Sequence, residues 1–242
     1  YVTRAGYSNF YDVFYVERET GKINIDANSP ITTGQGPAGI LYLSGKTMLC
    51  VANSLENSVS VYSSLGPYMP VSGSPFSLTS TDGTAYKLAF DPTLNKVFVS
   101  LKSSSSPGKV EYINVIDSNN VTVGGLINAP DLADDPQDIV VHSYNHILYI
   151  ASRSGNMITT YNTSADSVSG TLIVTDPAAI SLDEARNRLY VVGGSTRILT
   201  TLDVTNPENI AKVEPDTTIT TGTGRTIIDC EIAADKSLLF TL

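Results

Sequence analysis

One phrase recurs along the chain: an apolar run, a short polar turn, then a second apolar run. It occupies residues 40–53, 88–100, 139–151, 180–192 and 230–242. In each copy the first run begins ten residues before an aromatic or Cys position in the second run. Those positions are Cys50, Phe98, Tyr149, Tyr190 and Phe240, and Tyr1 opens the chain in the same register with Tyr1-Val-Thr-Arg4. The successive steps are 49, 48, 51, 41 and 50 residues. A fixed period of this length marks a repeat architecture. Each period also carries a β-branched and aromatic third run, such as 59–62, 112–116, 158–161 and 198–203, and a more polar fourth run such as 168–174. Alternation and Thr, Val and Tyr content predict strands, and no stretch has helical periodicity. Gly, Pro, Asn and Asp fill the intervals as turns.

Four short strands per period of about 48 residues is the arithmetic of a β-propeller blade. The prediction is a single all-β propeller domain over 1–242. Its approximate blades are 1–39, 40–87, 88–138, 139–179 and 180–229, with another starting at 230–242. The chain begins and stops on a second strand. Residues 228–235 could supply a missing inner strand and close a five-blade ring, but 238–242 would then compete with Tyr1-Val-Thr-Arg4 for one slot. The expectation is therefore a chain truncated at both ends, with five periods visible, from a ring of six or more blades.

Trp is absent, which excludes blade types built on a Trp-Asp dipeptide or on quinoprotein Trp motifs. Tyr1-Val-Thr-Arg4, Cys50-Val-Ala-Asn53 and Tyr149-Ile-Ala-Ser152 resemble the repeats of the YVTN/lactonase-like propellers. So do the Ser-Pro segments at Ser29-Pro30 and Ser74-Pro75, each followed by a spacer and a turn into the next inner strand. Thr201-Leu-Asp-Val-Thr-Asn-Pro207 is similar to Leu-Val-Ile-Val-Asp repeats. The resemblance spans the chain and implies architecture, because the shared residues are strand and turn residues.

The balance of 15 basic and 24 acidic residues gives −9, which argues against a nucleic-acid partner. No apolar run is long enough for a membrane-spanning helix. Two Cys 180 residues apart, Cys50 and Cys230, exclude a disulfide scaffold and read as buried thiols.

By analogy with other propellers, ligands meet the end of the blades that carries the inter-blade loops and the loops between second and third strands. The inter-blade loops are 34–39, 81–86, 131–138, 175–179 and 221–226; the others are 4–9, 53–57, 102–109, 153–156 and 194–197. Six of the 15 basic residues fall there: Arg4, Lys102, Lys109, Arg153, Arg197 and Arg225. Arg4, Lys102, Arg153, Arg197 and Arg225, with Asp138, are the candidate ligand-binding residues, forming a cationic rim for an anion or carboxylate. The plainer alternative is solvated loop charge, whose pairs contribute about 0–1 kcal/mol. Asp131, Asp134, Asp135 and Asp138 place four carboxylates in eight residues. They are the candidate ligands for Ca²⁺, which takes oxygen donors; the alternative is a turn whose carboxylates cap backbone amides. No other cofactor is expected. His142 and His146 flank the turn between first and second strands, away from the ligand end, and are poorly placed for a general base. No nucleophile elbow or metal-spaced His pair occurs.

Asn120-Val-Thr122 and Asn162-Thr-Ser164 match the glycosylation triplet. Tyr7 and Tyr68 are candidate contact residues. The resulting expectation is a non-enzymatic propeller, extracellular, periplasmic or at the cell surface, that binds a protein or glycan through its loop face. The alternatives are a lactonase-like hydrolase, for which the resemblance speaks, and a structural repeat of a surface layer or filament, a larger assembly.

Overall fold

The structure is a computed structural model. It describes residues 2–3, 9–17, 20, 22–43, 45–64, 67–103, 107–130, 132–213, 215–219, 226–233 and 238–241. The N-terminal strands are β1 (Val2–Thr3), β2 (Phe10–Asp12), β3 (Phe14–Val16), β4 (Ile23–Ile25) and β5 (Ile31–Thr32). The first complete blade holds β6 (Pro37–Leu43), β7 (Met48–Asn53), β8 (Ser58–Ser63) and β9 (Phe76–Ser77). The second holds β10 (Thr84–Asp91), β11 (Lys96–Lys102), β12 (Lys109–Asp117) and β13 (Asn120–Leu126). The third holds β14 (Pro136–His142), β15 (Ile147–Ser152), β16 (Met157–Asn162) and β17 (Ser167–Ile173). The fourth holds β18 (Pro177–Asp183), β19 (Arg188–Gly193), β20 (Ile198–Asp203), β21 (Ala211–Lys212) and β22 (Thr217–Thr218), the last two both pairing with β20. β23 (Cys230–Ala233) and β24 (Leu238–Thr241) form a separate hairpin.

The fold is all-β with four complete blades among the described residues. This four-blade propeller arrangement corrects the expected ring of six or more blades with five periods. The recurrent phrase marks a hairpin of first and second strands, and a hairpin is not a blade. Among the described residues, the copy at 230–242 carries β23 and β24. The N-terminal residues form a three-stranded sheet, β1-β2-β5, with β3–β4 as a hairpin inserted between β2 and β5.

By backbone contacts the chain divides into two compact units, Tyr1–Val99 with Glu111–Leu126 and Ser100–Val110 with Ile127–Leu242. Within the first, a core gathers Tyr11, Val13, Ile31, Leu49, Val51 and Tyr62. Tyr11 and Tyr62 meet edge to face with ring centroids 5.3 Å apart. Within the second, Tyr149, Ile158, Ile180, Leu189, Val191 and Leu202 pack between the third and fourth blades. Burying such β-branched and aromatic side chains at about 25 cal/mol per Å² is the main stabilising term.

The ten-residue spacing of the phrase fixes one hairpin register. Leu41 pairs Cys50, Val140 pairs Tyr149, Ser181 pairs Tyr190 and Glu231 pairs Phe240. At the hairpin tips, Thr47, Asn95, His146 and Asn187 take left-handed φ values of 50, 56, 57 and 51°. Asn and His tolerate that region better than most residues. The carbonyl of each accepts an N–H from the residue in or just after the third strand: Ser64, Val115, Thr163 and Val204. His146 is thus a turn residue in the place of two asparagines.

The Ser-Pro segments also have a physical role. The Oγ of Ser29 accepts the N–H of Val13 at 3.1 Å, and the Oγ of Ser74 accepts that of Val61 at 2.9 Å. Both Ser-Pro bonds are cis. The next residue, Ile31 or Phe76, is buried and pairs with the preceding strand, at Tyr11 and Val59 respectively. The hydroxyl supplies an acceptor just before the pairing strand begins. Ser74→Ala strands the N–H of Val61, a residue with no exposed surface. It should lower stability by about 1–2 kcal/mol in urea unfolding, while Ser77→Ala, at an exposed position, should change it by less than about 0.5 kcal/mol.

Candidate functional site

In three blades the inner strand opens on Pro, preceded by a left-handed residue. These pairs are Gly36-Pro37, Asp135-Pro136 and Asp176-Pro177, with φ of 67, 59 and 55° before the ring. Pro is tolerated at the first residue of a strand, where its missing N–H breaks no ladder bond. The carbonyl of the left-handed residue then accepts an N–H from the residue leaving the second strand. The bonds are Ser54 to Gly36 at 2.8 Å, Arg153 to Asp135 at 3.0 Å and Gly194 to Asp176 at 3.1 Å. Each places a 2–3 loop against the inter-blade loop of its own blade.

The fourth blade builds the densest polar group on this frame. Nε of Arg153 donates to Oδ1 of Asp176 at 2.6 Å, and Nη2 of Arg153 donates to the Ser195 hydroxyl at 2.8 Å. The other Asp176 oxygen accepts the backbone N–H groups of Ser195 and Thr196. The backbone N–H of Asp176 itself donates to Oδ1 of Asn156 at 2.8 Å. Arg153 comes from the third blade and Ser195 from the fourth, so Asp176 ties two blades. The pair is half-buried, with 29% and 17% of the side chains exposed. Burial pushes the Asp176 carboxyl up. The bond from Arg153, the two backbone N–H groups and the guanidinium charge outweigh it and hold the carboxyl below its ordinary value.

A parallel arrangement sits one blade earlier. Asp135 accepts from Nε2 of Gln137 at 2.7 Å and from the Ser154 hydroxyl at 3.1 Å. Asp138 turns inward: one oxygen accepts the N–H of Ile139 and the other that of Ile180, each at 2.9 Å. With 6% exposure it fastens the inner strand of the third blade to that of the fourth.

The candidate residues therefore separate. Arg153 is drawn into an ion pair. Arg197 holds the left-handed turn position that Asn57 and Asn156 hold elsewhere, and its carbonyl accepts the N–H of Ile219 at 2.7 Å. Lys102 is exposed at the end of β11. Arg4, Arg225, Asp131 and Tyr7 lie outside the described residues. Of the acidic loop, Asp134 and Asp135 share the turn before Pro136, while Asp138 is committed to backbone amides. Among the described residues, no group of three or more His, Cys, Asp or Glu is arranged to hold a metal ion. His142 is buried at the opposite end of its blade, its Nε2 3.1 Å from Oδ1 of Asn187. Cys50 is a buried thiol that burial pushes well up, away from thiolate chemistry; Cys230 is likewise a buried thiol.

Asp176, Ser195 and Thr196 were not singled out from the sequence. The recurrence of Gly-Pro or Asp-Pro three residues before the start of the phrase was the signal that could have located Asp176.

No protein-family model matches the chain, and no curated protein matches it. Solved structures do. A chain of the nidogen/laminin complex superposes with a TM-score of 0.68 at 14% identity, covering 97% of this chain and 82% of that one. A protein from Lactobacillus plantarum gives 0.75 at 9% identity, covering 94% and 69%. A functionally unknown protein from Desulfotomaculum acetoxidans gives 0.71 at 18% identity, covering 97% and 73%. At these identities the likeness is one of fold, and it agrees with an all-β propeller arrangement.

Because the folded Asp176 carboxyl is depressed, its contribution to stability is present above the unfolded value near pH 4. It is lost as pH falls through the lower folded value. Arg153→Met should cost about 1–2 kcal/mol at pH 7. It should also flatten the decline of stability below about pH 4. Urea titrations of both proteins across that range read the two effects.

Proposed function

We propose that the chain is a non-enzymatic, extracellular or cell-surface β-propeller that binds a protein or a glycan through the loop end of its third and fourth blades. The observation that carries this reading is the hydrogen-bonded loop network around Asp135, Arg153, Asp176 and Ser195. Arg153 and Asp176 neutralise each other, Gln137 and Ser154 hold Asp135, and the loops are held by backbone bonds. That leaves a pre-ordered surface of hydroxyls and amides, which binds without a large ordering cost. The likeness to a chain of the nidogen/laminin complex supports a protein-binding use of this architecture. Against the hydrolase alternative, Arg153 is engaged by a carboxylate within the chain.

The test is binding of the immobilised protein to a glycan panel and to cell-surface protein extracts. Ser154→Lys adds bulk to the loop end and can still contact Asp135. It should weaken binding by about tenfold or more, the loss of one good interfacial contact. Ser164→Glu, exposed at the other end of the third blade, should leave binding unchanged. Equal losses in the two variants, or no binding beside measurable lactone hydrolysis, would contradict the reading.

A further inference from the structure

Three residues beyond the aromatic or Cys position of the phrase, the second strand of each complete blade carries a buried residue, and the blades satisfy that position differently. In the first blade it is Asn53, fully buried and paired with Ser58. Its Nδ2 donates to the hydroxyls of Ser58 and Ser60, both at 2.9 Å. Its Oδ1 accepts from the Thr33 hydroxyl at 2.9 Å, and the N–H of Gly34 donates to Ser60 at 3.3 Å. Every polar group of that cluster is used.

The register maps this cluster onto the third blade. Asn53 pairs Pro37 as Ser152 pairs Pro136. Ser58 corresponds to Met157 and Ser60 to Thr159. Counting back four residues from each Pro, Thr33 corresponds to Leu132. The amide has become a shorter hydroxyl, and the hydroxyl that supported it has become an alkyl group. Ser152 is fully buried and Thr159 is 2% exposed. Neither Ser152 Oγ nor Thr159 Oγ1 has a hydrogen-bond partner among the described residues.

The other blades fill the position differently, and in the fourth a buried hydroxyl, Thr196 Oγ1, is likewise without a hydrogen-bond partner among the described residues. In the fourth, Gly193 stands there; a Cβ on it would lie 1.9 Å from the Thr196 hydroxyl, so that side chain takes the space. Thr200, the counterpart of Thr159, donates to Asp216 at 2.6 Å. In the second, the place in the phrase belongs to Leu101, which is buried and apolar.

We infer that the third blade binds one water molecule between Ser152 Oγ and Thr159 Oγ1, in the place the Asn53 amide nitrogen holds in the first blade. Buried hydroxyls without partners are rare because leaving them unmade is costly. A water needs at least two polar partners, and these two hydroxyls, each able to donate and accept, supply them. Ser152 directly precedes Arg153, so the water lies under the loop network.

Ser152→Asn replaces the water with the amide that the first blade uses. It should remove one long-lived water from the oxygen-17 relaxation dispersion of the protein. A folded variant with the count of long-lived waters unchanged would overturn the inference. Should the variant not fold, a high-resolution crystal structure of the unaltered chain decides. Density within hydrogen-bond distance of both oxygens supports the site. Hydroxyls turned onto backbone carbonyls, with no density between them, contradict it.

Discussion

Three of the four complete blades depend on one backbone bond: the carbonyl of the left-handed residue before an inner-strand Pro accepts the N–H that leaves the second strand. Gly36, Asp135 and Asp176 provide that carbonyl. The bond does two things at once. It sets where the inner strand begins, with a bulge just inside the Pro. It also sets where the 2–3 loop departs, so the side chains on that loop inherit their positions from the strand ladder. Loops normally cost conformational entropy to order. Here each is short and pinned at its first residue.

Residue choice at the left-handed position then decides what the loop end looks like. Gly36 contributes only backbone. Asp135 and Asp176 occupy the same conformation and add carboxylates, which gather Gln137 and Ser154 in one case and Arg153, Ser195 and Thr196 in the other. A basic residue that reads as ligand-seeking in the sequence is satisfied inside the chain by a neighbour that was not in view. The consequence for function is a surface whose polar groups are aimed and held, suited to recognition through many modest contacts.

The repeat was legible because its register is carried by local chemistry. Apolar runs ten residues apart can pair in only one way when one face is buried, and the four observed hairpins share that register. Turn residues such as Asn95 and Asn187 were readable for the same reason. Blade count was not legible: the phrase marks only a first-and-second-strand hairpin, which looks alike whatever third and fourth strands accompany it. The site was half legible. The loops that carry Arg153 and Arg197 were placed correctly, but pairing across blades is a long-range matter. Asp176 lies 23 residues from Arg153, and nothing local marks Arg197 as a turn residue rather than a rim cation. Asp138 read as a candidate ligand because an acidic cluster shows charge and hides which oxygens already hold amides.

Native-state hydrogen exchange at the backbone amides of Ser54, Arg153 and Gly194 tests this account most directly. All three N–H groups donate to a left-handed carbonyl before Pro, so they should exchange as slowly as the strand interiors beside them, although each begins a surface loop. Exchange at the rate of an unprotected loop at these three amides would contradict the claim that the bond organises the blades.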